Sequence, residues 1–269
     1  MIQIKTDDEI ARMRAAGLVV CRALAALRAS VRPGISTADL DAIAEECIRD
    51  DGAVPSFLGY RGFPARICTS VNEEVVHGIP RPDKVLREGD VISIDCGAIV
   101  DGWHGDSAIT VGVGEIRPEH ARMMAVCEES MWAGFAAALA GGKLTDISHA
   151  VEVAIRGGGD YGIVDHYGGH GIGTEMHQDP HVLNYGRPGR GPRLVPGLCL
   201  AIEPMITMGG PETRELEDGW TVVTTDGSYA AHYEHTVAIT ADGPWVLTAE
   251  DSGAAKLAEY GVQVPARTP

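Results

Sequence analysis

Four acidic side chains stand where an idle charge is costly. Asp95 ends the apolar run Val91-Ile92-Ser93-Ile94 and Glu203 ends Leu198-Cys199-Leu200-Ala201-Ile202. Glu234 opens Tyr233-Glu234-His235-Thr236-Val237-Ala238-Ile239, and Asp106 follows Trp103-His104-Gly105. A two-residue Asp101-Gly102 turn makes a hairpin of Val91–Ala98 and Trp103–Val111, in which Asp95 faces Ala108. Asp106 is then a diagonal neighbour of Asp95 on the same face, with Cβ atoms about 7–8 Å apart or less. The bland alternative is a solvated polar face of a hairpin. Context argues against it, because charges embedded in apolar strands are almost always paired or metal-bound. Like charges about 4 Å apart repel by about 4 kcal/mol even at an effective dielectric of roughly 20. None of these strand segments contains a Lys or Arg to offset that repulsion. Two divalent cations would balance the four carboxylates.

Histidines lie in glycine-rich loops nearby in the pattern. Asp165-His166-Tyr167-Gly168-Gly169-His170-Gly171-Ile172-Gly173 offers His170 or His166 as a ligand, and its glycines let backbone come close to another group. His177 lies one loop further on, and His77 occupies the corresponding place in the first half, in Val75-Val76-His77-Gly78-Ile79-Pro80. The competing reading of each is a hydrogen-bonded structural residue. His104 shares a face with Asp106 by parity and is a weaker extra ligand candidate. Oxygen-rich ligation with a single imidazole favours Mn, Fe(II), Co or Zn over a thiolate site. Two such ions bridged by shared carboxylates would hold a hydroxide, since metal binding lowers the pKa of water to about 7. The chemistry implied is hydrolysis.

The elements that must position these groups recur in order. Thr6-x-x-Glu9 is a capping box, with Ile10, Met13, Val20, Leu24 and Leu27 following at helical spacing until Arg32-Pro33-Gly34. Ser36-x-x-Asp39 opens a second helix that ends before Asp51-Gly52. Residues 53–82 suit loops with short strands, and the hairpin follows. The second half runs through a long helix over Pro118–Leu139, a shorter one over Thr145–Ile155, a Gly/His-rich loop at 165–181 and a strand over Leu198–Ile206. Further strands are expected near Thr221–Thr225 and Tyr233–Ile239. Leu86-x-x-Gly89-x-x-x-x-Ile94-Asp95 matches Leu194-x-x-Gly197-x-x-x-x-Ile202-Glu203. Together these point to one domain over 1–269 with an internal repeat, about 6–112 and 117–248, whose halves meet at a pseudo-twofold axis. The tail from Val264 to Pro269 is expected to fray.

Composition narrows the function classes. The chain has 269 residues, 45% hydrophobic and 22% charged, which is enough for a sizeable core and excludes disorder as the main state. Lys plus Arg number 22 against 38 Asp plus Glu, a net charge of −16. Such an excess disfavours DNA as a partner and an anionic membrane surface as a docking site. The six cysteines form no C-x-x-C, the N-terminus lacks a signal-peptide run, and no stretch is long and apolar enough to span a bilayer. A cytoplasmic location is expected.

Several stretches taken together carry a resemblance. They are Cys68-Thr69-Ser70-Val71-Asn72-Glu73-Glu74-Val75-Val76-His77-Gly78-Ile79-Pro80, Gly89-Asp90-Val91-Ile92-Ser93-Ile94-Asp95, Asp101-Gly102-Trp103-His104-Gly105-Asp106, His166-Tyr167-Gly168-Gly169-His170-Gly171-Ile172-Gly173, Ile202-Glu203-Pro204 and Tyr233-Glu234-His235-Thr236. In this order and spacing the chain resembles the type I methionine aminopeptidases in their short form, from about Ile4 to Thr248. The resemblance implies the α/β (α+β) pita-bread fold of the creatinase and aminopeptidase enzymes, an antiparallel sheet with two helix pairs related by pseudo-twofold symmetry. It implies two divalent ions (Co, Mn, Fe(II) or Zn) on Asp95, Asp106, His170, Glu203 and Glu234. Asp95 would chelate one ion, His170 and Glu203 the other, and Asp106 and Glu234 would bridge both.

The same resemblance implies removal of the initiator methionine from nascent proteins, preferably before a small second residue, by a metal-activated hydroxide that attacks the first peptide bond. Glu203 would shuttle the proton to the leaving amine. His177 would donate to the carbonyl oxygen as it gains charge, and His77 would help position the substrate. Tyr60, Phe63, Cys68, Met176, His177 and Trp220 would line the methionine pocket. Met176 replaces the aromatic residue common there, and its thioether can still pack on a methionine side chain. Cys68 is read as pocket wall rather than as a nucleophile. The basic loop Arg187-Pro188-Gly189-Arg190-Gly191-Pro192-Arg193 is read as solvated, with transient ribosome contact as the alternative, and the chain as a monomer.

Rivals are weighed on the same residues. Prolidase and aminopeptidase P share the five ligands but generally carry an extra N-terminal domain, for which helix one, starting near Thr6, leaves no room. Type II methionine aminopeptidases carry a helical insertion that 269 residues do not accommodate. A non-catalytic binding protein of this fold should lack the ligands. There is no H-E-x-x-H, Gly141-Gly142-Lys143-Leu144 lacks the Ser or Thr of a P-loop, and the 168–173 loop lacks G-x-G-x-x-G spacing.

Overall fold

The computed structural model describes residues 2–265; the end of the tail expected to fray, 266–269, lies outside the described residues. Both expected helix starts are capping boxes. Thr6 and Glu9 open α1 (Asp7–Ser30), and Ser36 and Asp39 open α2 (Thr37–Asp50). Pro118 begins α3 (Pro118–Ala136), which ends a turn earlier than its apolar pattern suggests. Helix α4 (Leu144–Gly158) starts one residue earlier than expected because the Asp146 carboxylate accepts from the Lys143 N–H. A short α5 (Ala254–Glu259), not expected from the sequence, follows. Among the described residues no helix is long and apolar enough to cross a membrane.

The central hairpin forms as the Asp-Gly turn requires. Strands Val91–Val100 and Trp103–Gly112 pair with Val100 opposite Trp103 and Asp95 opposite Ala108. Asp101 (φ 48°) and Gly102 (φ 81°) are both left-handed, as a type I′ turn demands. The short strand Ile67–Val71 flanks the hairpin and puts Cys68 opposite Asp95.

The second half is more broken than its sequence suggests. The single strand expected over Leu198–Ile206 is two, Cys199–Ile202 and Met205–Thr207, and they belong to different sheets. Pro204 is the reason, because it has no N–H to give the ladder. The strand expected over Tyr233–Ile239 begins two residues later, at His235–Thr240, and a separate strand, Ala230–His232, precedes it across Tyr233-Glu234. The expected loop at 165–181 contains strands Gly169–Gly171 and Gln178–Val182. Its glycines serve tight packing inside a sheet: a Cβ on Gly169 would lie 2.2 Å from the Ala201 carbonyl oxygen and one on Gly171 2.1 Å from that of Asp179.

The core is aliphatic and lies between the helix pairs and the sheets, with Leu24, Leu27 and Leu40 on one side and Phe135, Ile147 and Val151 on the other. Helix α1 lies directly on the strand that bears Asp106. A Cβ on Gly105 would come within 2.7 Å of the Gly17 nitrogen, so the missing side chain of Gly105 lets α1 lie this close to the strand.

Candidate metal centre and substrate cavity

The strand register fixes the acidic cluster. Ala108 pairs with Asp95 on one side and bridges to Glu234 on the other, through Ala108 N–H to Glu234 C=O (3.1 Å) and Glu234 N–H to Ala108 C=O (2.9 Å). Thr236 adds a clamp, its hydroxyl donating to the Asp106 carbonyl at 2.8 Å. Across the next sheet Ala201 pairs with both Thr236 and His170, which leaves Glu203 just past the strand end beside His170. Both strand breaks therefore fall at acidic residues, where the chain turns out of its ladder and points a carboxylate inward.

Every expected ligand reaches the same place. His170 Nε2 lies 3.6 Å from Glu203 Oε1, 3.9 Å from Asp106 Oδ2 and 3.9 Å from Glu234 Oε1. Asp95 and Asp106 are close enough to share a side-chain hydrogen bond, as their diagonal register predicts. Burial comes first in raising all four carboxyl pKa values, and neighbouring carboxylates add to it for Asp95, Asp106 and Glu234. Burial lowers His170 to about 4, so its ring is neutral at pH 7.

The donor set fits a cation. His170 Nδ1 lies 2.9 Å from the Gly171 carbonyl, which can only accept, so Nδ1 carries the proton and Nε2 offers a lone pair. That lone pair faces three carboxylate groups, an arrangement of acceptors against acceptors. Asp95 Oδ1, Asp106 Oδ1 and Glu234 Oε1 are buried without a hydrogen-bond partner among the described residues. Two donors each about 2.1 Å from one ion lie roughly 3–4 Å apart, which is the spacing seen here. A divalent ion would satisfy the donors of Asp106, His170 and Glu234 together.

The acidic cluster forms one end of a cavity of about 920 Å³. The five metal-ligand candidates line it together with His77, His177, Tyr60, Phe63, Cys68, Met176 and Trp220. Phe63, Cys68 and Met176 are buried in an apolar cluster, with Tyr60 and Trp220 packed against it. Phe57, Ala65 and Ile79 complete that cluster and were not singled out; their apolar types at loop positions gave no chemical signal. Burial raises the Cys68 thiol well above its ordinary value, which suits a packed wall.

The two accessory histidines are neutral, each lowered to about 4 mainly by burial. Tyr60 Oη lies 2.8 Å from His177 Nδ1, and the His177 ring stands 4.3 Å from that of His170. His77 is held in a left-handed backbone conformation (φ 59°), edge-on to Tyr167 and Trp220. His166, the alternative to His170, reaches the cavity rim but is largely exposed and faces Asp165. His104 is not among the lining residues; its Nδ1 lies 3.1 Å from Ser56 Oγ, so period-two parity put it on the right face but outside the cluster. Arg187, Arg190 and Arg193 are exposed and do not line the cavity. His232 was missed: it is buried, with Nε2 3.3 Å from Glu203 Oε2. Its two-residue spacing from Glu234 was the one available signal.

The model for metallopeptidase family M24 matches residues 11–241. The chain belongs to that family. Its fold is the family's pita-bread fold, mixed helix and antiparallel sheet, as the sequence implied. The methionine aminopeptidase of Clostridium acetobutylicum is 55% identical over 248 residues, which is 92% of this chain and 99% of that protein. Methionine aminopeptidase 1 of Mycobacterium tuberculosis is 55% identical over 249 residues, 91% of this chain and 94% of that protein. The crystal structure of the Thermotoga maritima methionine aminopeptidase superposes with a TM-score of 0.91 at 42% identity, covering 93% of this chain and all of that one.

Proposed function

We propose that this M24 metallopeptidase is an aminopeptidase that removes methionine from the free N-termini of peptides and nascent chains, preferring a small second residue. The observation that carries the reading is the convergence, in a cavity whose wall includes an apolar cluster, of a lone-pair imidazole and four buried carboxylates. The strong likeness to enzymes named methionine aminopeptidase supports the substrate, and sets aside the proline-directed alternative. We read the chain as a single catalytic domain. The recurrence of a helix pair followed by antiparallel strands supports the internal repeat.

Asp95, Asp106, His170, Glu203 and Glu234 would hold two divalent ions of the Mn, Fe(II), Co or Zn class. Bound there, such ions supply acidified water and a sink for charge developing on the carbonyl. The chain's own residues do the rest. Glu203 takes the proton from the attacking water and delivers it to the leaving amine. Tyr60 Oη lies 2.8 Å from His177 Nδ1; with the Tyr60 O–H donating there, the proton of His177 lies on Nε2, which would present a donor to the substrate carbonyl oxygen. His77 positions the substrate backbone, and Tyr60, Phe63, Cys68, Met176 and Trp220 enclose the methionine side chain.

The test is to strip the protein of metal, restore Mn, Fe(II), Co or Zn in turn, and assay Met-Ala-Ser beside peptides with a bulky second residue and Xaa-Pro substrates. Metal-dependent release of Met before Ala is the expected result. Cleavage confined to bonds before Pro, or none with any metal, would overturn it.

A further inference from the structure

His232 is unlike the histidines that line the cavity. It lies on the strand Ala230–His232, is 1% exposed, and its backbone is clamped by Thr110: His232 N–H donates to Thr110 Oγ1 at 3.0 Å, and the Thr110 hydroxyl donates back to the His232 carbonyl at 2.7 Å. The imidazole therefore has little freedom to move away. Among the described residues its Nε2 is buried without an aligned hydrogen bond, yet lies 3.3 Å from Glu203 Oε2. Glu203 is thus gripped from two sides. Oε1 faces His170 at 3.6 Å and Oε2 faces His232.

A buried ring nitrogen with no hydrogen-bond partner among the described residues, next to a carboxylate that must ionise to work, calls for a hydrogen bond in the working state. Resting on the metallopeptidase reading above, we propose that His232 is a positioning residue for Glu203. Its Nε2–H donates to Oε2, turns Oε1 toward His170, and holds the carboxylate in the orientation that ligation and proton transfer both need. His232 itself does not touch substrate. A plain space-filling role would require only bulk at this position; the proposal requires a donor of the right reach.

That difference sets the experiment. His232→Leu keeps bulk and removes the donor, while His232→Gln keeps a donor at comparable reach. Partners of ligating carboxylates typically contribute ten- to a hundredfold in metal affinity or activity. The Leu variant, purified with parental circular dichroism, is expected to bind Mn(II) about 10- to 100-fold more weakly by calorimetry and to lose kcat with KM little changed. The Gln variant is expected to recover both to within about threefold of the parent, and the Co(II)-loaded absorption spectrum should shift in the Leu protein and return in the Gln protein. If the Leu variant does not fold, His232→Asn, a donor too short to reach Oε2, supplies the same contrast.

Parental Mn(II) affinity in the Leu or Asn variant would overturn the proposal, as would a Gln variant no better than Leu. Loss of one bound ion from the Leu variant would also overturn it, since that marks His232 as a direct ligand. Mn(II) affinity is read without substrate, so failure of the parent to cleave Met-Ala-Ser would count against the proposed function and not against this contact.

Discussion

Metal binding should be strongly pH-dependent, and the direction follows from the buried carboxyls. In the apoprotein Asp95 and Glu203 are pushed up to about 7 by burial, and Asp106 and Glu234 are raised by burial and by neighbouring carboxylates. His170, at about 4, brings no proton. Near pH 7 Asp95 and Glu203 together therefore hold about one proton that ligation must expel, and each one expelled makes affinity change tenfold per pH unit. Mn(II) affinity should rise at least about tenfold from pH 6 to pH 7, roughly 1.4 kcal/mol at 1.36 kcal/mol per decade. Calorimetry at one pH in buffers of different ionisation enthalpy counts the protons directly.

The stability signature has its own sign. Carboxyls whose folded pKa is raised favour the folded state while protonated, so this cluster's contribution falls as pH rises from about 4, the unfolded value, through the folded values. Added Mn(II) should therefore raise Tm more at pH 8 than at pH 5.5. Release of less than one proton at pH 7, together with affinity flat between pH 6 and 7.5, would show that the carboxylates are not ligands or are already ionised without metal.

Three further outcomes are expected. His177→Ala should lower kcat by roughly 10²–10³ with metal content unchanged by elemental analysis, and a loss that tracked missing metal would assign His177 a different role. Gly105→Ala should cost about 1–3 kcal/mol in denaturant unfolding, because its methyl meets the α1 backbone at Gly17 and would push the helix off the strand that bears Asp106; an unchanged midpoint would show that α1 can yield. Cys68→Ala should keep kcat within about tenfold and alter mainly KM, and the parental thiol should react slowly with iodoacetamide at pH 7.5; abolished turnover with intact metal would restore a chemical role for Cys68.

The sequence by itself determined the local grammar. Two capping boxes, the Asp-Gly turn and period-two alternation are short-range effects, settled within a few residues, and they placed α1, α2 and the Asp95/Asp106 hairpin to within a residue or two. Embedding acids in apolar runs without a basic neighbour was equally legible, because the cost of burying an unpaired charge does not depend on topology. Tertiary structure decided which distant strands became neighbours. The Ala108–Glu234 bridge and the Ala201–His170 pairing join segments far apart in the chain, and no local rule specifies them. It also separated His170 from His166 and His104, since parity and glycine content are the same for a ligand and for its neighbour, while burial and distance are not. His232 shows the limit most plainly: only when the strand Ala230–His232 lies beside the turn after Ile202 does an ordinary histidine come within 3.3 Å of Glu203.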